Sequence, residues 1–257
     1  MMEVRTIRRE EADTFLELLC GVFELDASRA RHVFYGEPFF DLARKWALFD
    51  GGEMISILTT VPLEFGWGKG FGIAGVATRR DRQGEGVAAK LLSIVLRESE
   101  VRGEAIALLF AKDDRLYRRV GFTTLDKVIR GTIQSDHAEA LPPDEPVERV
   151  VRRYEEWCSQ DPARLRRDER RWRYWNWNLK ICSQFLGGYV CVEGSFVREC
   201  IADGRAEAWP VPPNSQWLGL EGVAELLGVP LVNRVDDLML MGRGAPGAPQ
   251  MFMTDQF

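Results

Sequence analysis

The sequence predicts a mixed α/β fold (α+β in its connectivity): a central mixed sheet flanked by helices, followed by a second, smaller α/β lobe. Three observations carry this. The apolar pattern alternates between helical and strand periods over the first 134 residues. One strand runs into a glycine-bearing loop and straight on into an amphipathic helix. A proline-rich stretch, Leu141-Pro142-Pro143-Asp144-Glu145-Pro146, then interrupts the pattern. We place a boundary there, giving units of residues 1–140 and 141–257.

In chain order, Phe15, Leu18, Leu19 and Val22 fall at helical spacing within residues 8–22, and a weaker helix covers 27–35. Trp46 to Phe49, the turn Asp50-Gly51-Gly52, and Met54 to Val61 read as a hairpin. Phe71 to Thr78 is a further strand. The alternating glycines between Gly66 and Gly72 read as a mobile hairpin tip. After polar residues 79–86, Val87, Ala88, Leu91, Leu92 and Val95 line one face of a helix. Ala105 to Phe110 is a short strand, Asp114 to Val120 a short helix closed by Gly121, and Phe122 to Gln134 another strand. The second unit reads as an Arg-rich helical region (147–175), a hairpin of Gly188–Val192 and Phe196–Ile201, a helix at 220–227, and strands at Asp237–Met241 and Gln250–Phe257.

Bulk properties exclude some functions. No apolar run approaches the ~20 residues that span a bilayer. The charged N-terminus lacks the apolar core of a signal peptide, which points to a cytoplasmic protein with no membrane role. The net charge of −5 disfavours nucleic acid. Five cysteines without a C-x-x-C pair, and two histidines, argue for reduced, mostly buried thiols and no metal site. Residues 148–173 hold nine Arg against six acids, interleaved with tryptophans. Arg and aromatics together can hold single-stranded nucleic acid. The simpler reading is an amphipathic helix with its aromatics in the core and its Arg in water or paired with Asp168 and Glu169.

The stretch GIAGVATRRDRQGEGVAAKLL, residues 72–92, carries the chemistry. A helix start offers unpaired N–H groups and a positive dipole end, and glycines let an anion approach the backbone. On the glycines alone three readings stand: a plain strand–loop–helix connection, a dinucleotide site from Gly84, Gly86 and Ala89, or an acyl-coenzyme A pyrophosphate site. The stretch resembles motif A of the GNAT acetyltransferases, with Val76-Ala77-Thr78 at the strand end and Arg82-Gln83-Gly84-Glu85-Gly86-Val87 as the loop. Downstream, LLFAKDDRLYRRVGF is similar to that family's motif B, with Tyr117, Gly121 and Phe122 in its Y-x-x-x-G-[FY] positions. The resemblance spans roughly residues 1–134. It implies a GNAT-like central sheet and acetyl-CoA as co-substrate. Ala74, Gly75, Val76 and Ala77 would line the pantetheine, Arg82, Gln83, Gly84, Glu85, Gly86 and Val87 would cradle the pyrophosphate, and Tyr117 would protonate the leaving thiolate. Asp81 and Glu85 depart from the pattern, since the family favours Arg or Gln and an apolar residue there. Carboxylates beside a pyrophosphate are unfavourable unless paired.

RLRRDERRWRYWNWN followed by GGYVCVEG is similar to the second lobe of the two-lobed, aminoglycoside- and lysine-acetylating branch, here shortened. That likeness implies an acceptor pocket between the units and offers the terminal carboxylate of Phe257 as the base, with Glu64 as a second candidate. The expected function is N-acetyl transfer from acetyl-CoA to a small-molecule or peptide amine by direct attack in a ternary complex. Its rivals are a non-catalytic acyl-CoA-binding or sensing module and an interaction protein built on a decayed fold. Self-association stays open.

Overall fold

The structure is a computed structural model of the chain, described here for residues 2–134, 147–178, 182–185, 187–203, 209–212 and 214–257. Its centre is one eleven-stranded mixed sheet with strand order β1-β2-β3-β4-β5-β11-β6-β10-β9-β8-β7. The strands of the first half are β1 (Met2–Thr6), β2 (Lys45–Asp50), β3 (Glu53–Phe65), β4 (Gly68–Thr78), β5 (Ile106–Ala111) and β6 (Thr123–Ile133). Those of the second half are β7 (Cys182–Phe185), β8 (Gly188–Glu193), β9 (Phe196–Ala202), β10 (Gln216–Leu220) and β11 (Leu231–Arg243). β11 lies antiparallel between β5 and β6. The two halves therefore share backbone hydrogen bonds in a single sheet. The proline-rich stretch where the boundary was placed lies outside the described residues.

Alternation along the strands sorts side chains to the two faces. Trp46 and Leu48 of β2, with Ile55 and Leu58 of β3, pack beneath α3 (Val87–Val101). Ala47, Phe49, Met54 and Ile57 pack on the other face under α1 (Ala12–Phe23) and α2 (Ala27–Gly36). The β2–β3 hairpin closes through Gly51 and Gly52, both at positive φ as its tight turn requires. In α3 the apolar stripe Val87, Leu91, Leu92 and Val95 is buried as its spacing predicts. The short helix α4 (Arg115–Arg119) ends at Gly121, with φ +89°.

Three expectations need correction. The β3–β4 tip is not free: the Gly66 N–H donates to the Pro162 carbonyl at 2.9 Å, and the Arg166 N–H donates to the Glu64 carbonyl at 2.7 Å. A Cβ on Gly66 would sit 2.6 Å from Pro162 Cα, so the glycine is there for close approach. The Arg-rich region is two helices, α5 (Val147–Ser159) and α6 (Glu169–Asn178), separated by the extended stretch that docks on this tip. Residues 250–257 are not a strand: after a bridge at Gln250 they form a short 3-10 turn, Met253–Asp255. Side chains replace the ladder there. Arg198 donates to the Met253 carbonyl, Asn178 to Thr254 at 3.2 Å, and the Tyr174 hydroxyl to Gln256 at 2.7 Å.

The arginines of this half are not all in water. Arg167 is fully buried and pairs with Glu199 at 2.7 Å and with Asp255 at 2.6 Å, rather than with Asp168 or Glu169. Tyr189, Thr254 and Trp175 complete the shell of the Glu199 carboxylate. Burial alone would raise the Glu199 carboxyl, but the Arg167 charge and these donors outweigh it and hold it below its ordinary value. The tryptophans follow expectation more closely: Trp157, Trp175, Trp209 and Trp217 are buried.

Candidate active site

The coenzyme loop is built by backbone geometry. β4 pairs with β5 only from Gly70–Ile106 to Ile73–Leu109, yet β4 continues to Thr78. Past Ile73 the two strands part, and the β4 edge is left without a partner on that side. Opposite β3 the same segment is bulged: Gly75 and Val76 face the single residue Leu58, with Gly75 at φ +59°. The exit loop then turns at Gly84 (φ +85°) and at Gly86 (φ +77°), the N-cap of α3. Among the described residues, no protein acceptor meets the N–H groups from Gly84 to Ala89, while Gln83 ties the loop back by donating to the Thr78 carbonyl at 3.1 Å. Free amides converging at the N-terminus of a fifteen-residue helix form an anion cradle.

The two misplaced carboxylates are neutralised. Arg79 holds both Asp81 oxygens at 2.7 Å and reaches Glu53 at 2.8 Å. Arg82 holds Glu85 at 2.9 Å and Asp50 at 3.0 Å. The Arg79 guanidinium keeps the Asp81 carboxyl below its usual range. Both pairs are exposed, so they cancel local charge more than they add stability.

Tyr117 lines the same groove as Val76, Thr78, Arg82, Gln83, Gly84, Gly86 and Val87, with Val22 and Leu116 completing its apolar side. Its ring stands edge-on to Phe122 at 6.2 Å. Its hydroxyl has no hydrogen-bond partner among the described residues. Burial, reinforced by the charge of Asp113, pushes the phenol above its ordinary value. It is therefore a protonated donor facing the cleft.

One step along β4, Ala74 and Gly75 pass from this groove into a second cavity under α1 and α2, which Phe257 and Tyr174 close from the other half. The Phe257 ring lies 5.3 Å from Phe110, and a Cβ on Gly72 would sit 2.3 Å from that ring. The Phe257 ring thus lines this second cavity. Glu64 does not: it is exposed in a separate cavity with Arg44, Lys69, Glu104 and Arg166. The sequence reading missed Tyr174 and the α2 residues Val33 and Phe34, which carry no motif. It also missed the bulge, although a glycine inside an apolar strand was its signal.

Residues 3–125 match the family described as the acetyltransferase (GNAT) domain. No curated protein sequence matches the chain. Among solved structures, a GCN5-related N-acetyltransferase from Kribbella flavida superposes with a TM-score of 0.72 at 17% identity, covering 94% of this chain and 71% of that one. A GCN5-related N-acetyltransferase from Anabaena variabilis gives 0.69 at 15%, covering 95% and 72%. Eis1 from Mycobacterium abscessus gives 0.62 at 17%, covering 93% and 73%. At these identities the structures show a shared fold over nearly the whole chain, and the domain match adds the family. The N-terminal half of this chain belongs to the GNAT acetyltransferases, and the chain is an acyltransferase of that family.

Proposed function

We propose that the chain transfers an acetyl group from acetyl-CoA to a primary amine by direct attack in a ternary complex. The observation that supports this most is the groove itself: the unpaired amides of Gly84–Ala88, the unpaired β4 edge and the Tyr117 hydroxyl lie along one surface. The amides suit a pyrophosphate, and the edge from Ala74 to Val76 suits the pantetheine amides as an added strand.

The amine nitrogen attacks the thioester carbonyl carbon, whose oxygen is polarised by a backbone N–H near Val76. As the C–S bond breaks, Tyr117 gives its proton to the departing sulfur. The proton shed by the nitrogen passes to water or to the main-chain carboxylate of Phe257. No side chain is acylated in this scheme. Of the two candidate bases, only Phe257 lines the cavity next to Gly75, and Glu64 has no part in it.

The test is a thiol-release assay over an amine panel, with acetyl-CoA binding followed by calorimetry. Tyr117→Phe should lower kcat by about 10²-fold or more, the usual contribution of a positioned acid, with little change in coenzyme affinity. Full turnover in that variant removes Tyr117 from the scheme. Coenzyme binding without thiol release from any amine would favour a non-catalytic binding module.

A further inference from the structure

The second cavity carries information on the acceptor. It encloses about 210 Å³ between α1, α2, β3 and β4, and its walls are almost wholly apolar: Leu19, Leu25, Val33, Phe34, Phe39 and Val61. Four polar side chains reach it: Thr59 adds a hydroxyl, and the other three are already committed. Glu37 pairs with the buried Lys45 at 3.0 Å, and the Lys45 ammonium lies 4.8 Å over the Phe34 ring. The Tyr174 hydroxyl is spent on the Gln256 carbonyl. At its mouth Leu25 and Val33 remain 46% and 42% exposed, two large aliphatic side chains facing water where a ligand body would cover them.

Gly75 and Leu19 line the cavity, while Val76 and Val22 of the same two elements line the coenzyme groove, so the two spaces adjoin at the β4 bulge. Leu25 and Val33, both exposed, mark where the cavity meets solvent. A molecule seated in it would end beside Gly75, at the bulge the two spaces share.

Resting on the acetyltransferase reading above, we propose that the acceptor is a monoamine with an apolar, single-ring aromatic body, held with its ring among Val33, Phe34 and Phe39 and its amine toward Gly75. An apolar cavity of about 150 Å³ already holds a benzene ring, so this one has room for a ring and a short chain. Each buried apolar Å² contributes ~25 cal/mol. Polyamines and aminosugars would instead bury several ammonium or hydroxyl groups against walls with too few free partners for them, at ~1–3 kcal/mol for each one left unpaired. The pocket therefore selects against them as well as for the aromatic body.

The experiment uses the full chain, acetyl-CoA and thiol release with 2-phenylethylamine and 3-phenylpropylamine against 1,4-diaminobutane, spermidine and kanamycin. The aromatic amines should show kcat/KM at least about tenfold higher, the scale on which apolar pockets discriminate. Val33→Glu should lower kcat/KM for 2-phenylethylamine about tenfold, with the calorimetric Kd for acetyl-CoA unchanged. Faster turnover of spermidine or kanamycin overturns the proposal and leaves the acetyltransferase reading standing. So does a pocket that serves the donor: octanoyl-CoA used faster than acetyl-CoA, with the advantage lost in Val33→Glu. Absence of both coenzyme binding and thiol release with every amine overturns the acetyltransferase reading and this proposal with it.

Discussion

A Cβ on Gly84 would meet nothing within 4 Å, so only its φ of +85° forbids a larger residue. Gly84→Val should fold, with ~1–2 kcal/mol of left-handed strain, and should bind acetyl-CoA about tenfold more weakly because the relaxed loop turns its amides away. Calorimetry reads this directly. Glu85 tests charge at the same place. It is held by Arg82, which also has Asp50. Glu85→Gln should tighten coenzyme binding by no more than about fivefold, since an exposed pair is worth ~0–1 kcal/mol. Tyr117 makes a pH prediction. Its phenol is raised above 10.0, first by burial and then by Asp113, so it keeps its proton as pH rises through that ordinary value. Rate profiles in buffers up to about pH 10 should show no alkaline loss due to Tyr117, and the profile of Tyr117→Phe should be lower but of the same shape.

At the scale of elements, the sequence announced the first half well because its signals are local. A strand period, a Gly-Gly turn and a 3.6-residue stripe each fix their own segment, and Tyr117 and Gly121 come with fixed spacing. The second half was less legible because its order depends on distant partners. Arg167 has acids next to it in sequence, yet its partners are Glu199 and Asp255. Met251 to Asp255 are all buried, a pattern shared by a central strand and by a segment plugged across a core, and only the side-chain donors decide between them. Those donors bring Phe257 against Gly72. Gly72→Ala places a Cβ 2.3 Å from the Phe257 ring and must displace it. We expect acceptor kcat/KM to fall about tenfold while acetyl-CoA affinity holds, because the coenzyme loop lies beyond the bulge. Comparable acceptor kinetics in Gly72→Ala would show that Phe257 does not shape the pocket.

For the molecule as a whole, the Arg167 cluster joins α6, β9 and the final turn where no water reaches. Removing the cation leaves two buried carboxylates, so Arg167→Met should cost about 3–5 kcal/mol in denaturant unfolding. The cluster also sets an acid limit. Glu199 is held below its unfolded value near 4.5, so its contribution is complete above that pH and is lost as pH falls through the folded value. Glu199→Gln should unfold more readily at neutral pH but show a flatter acid limb in tryptophan fluorescence. The placement of β11 reaches further still. Its residues, 231–243, separate β5 from β6, so those two strands never bond to each other and are joined only through a strand from much later in the sequence. During synthesis the first 133 residues leave the ribosome with the catalytic motifs present and a sheet that is missing a middle strand. A chain that stops before Leu231 would hold two open strand edges where β11 belongs, and open edges are where strands mispair.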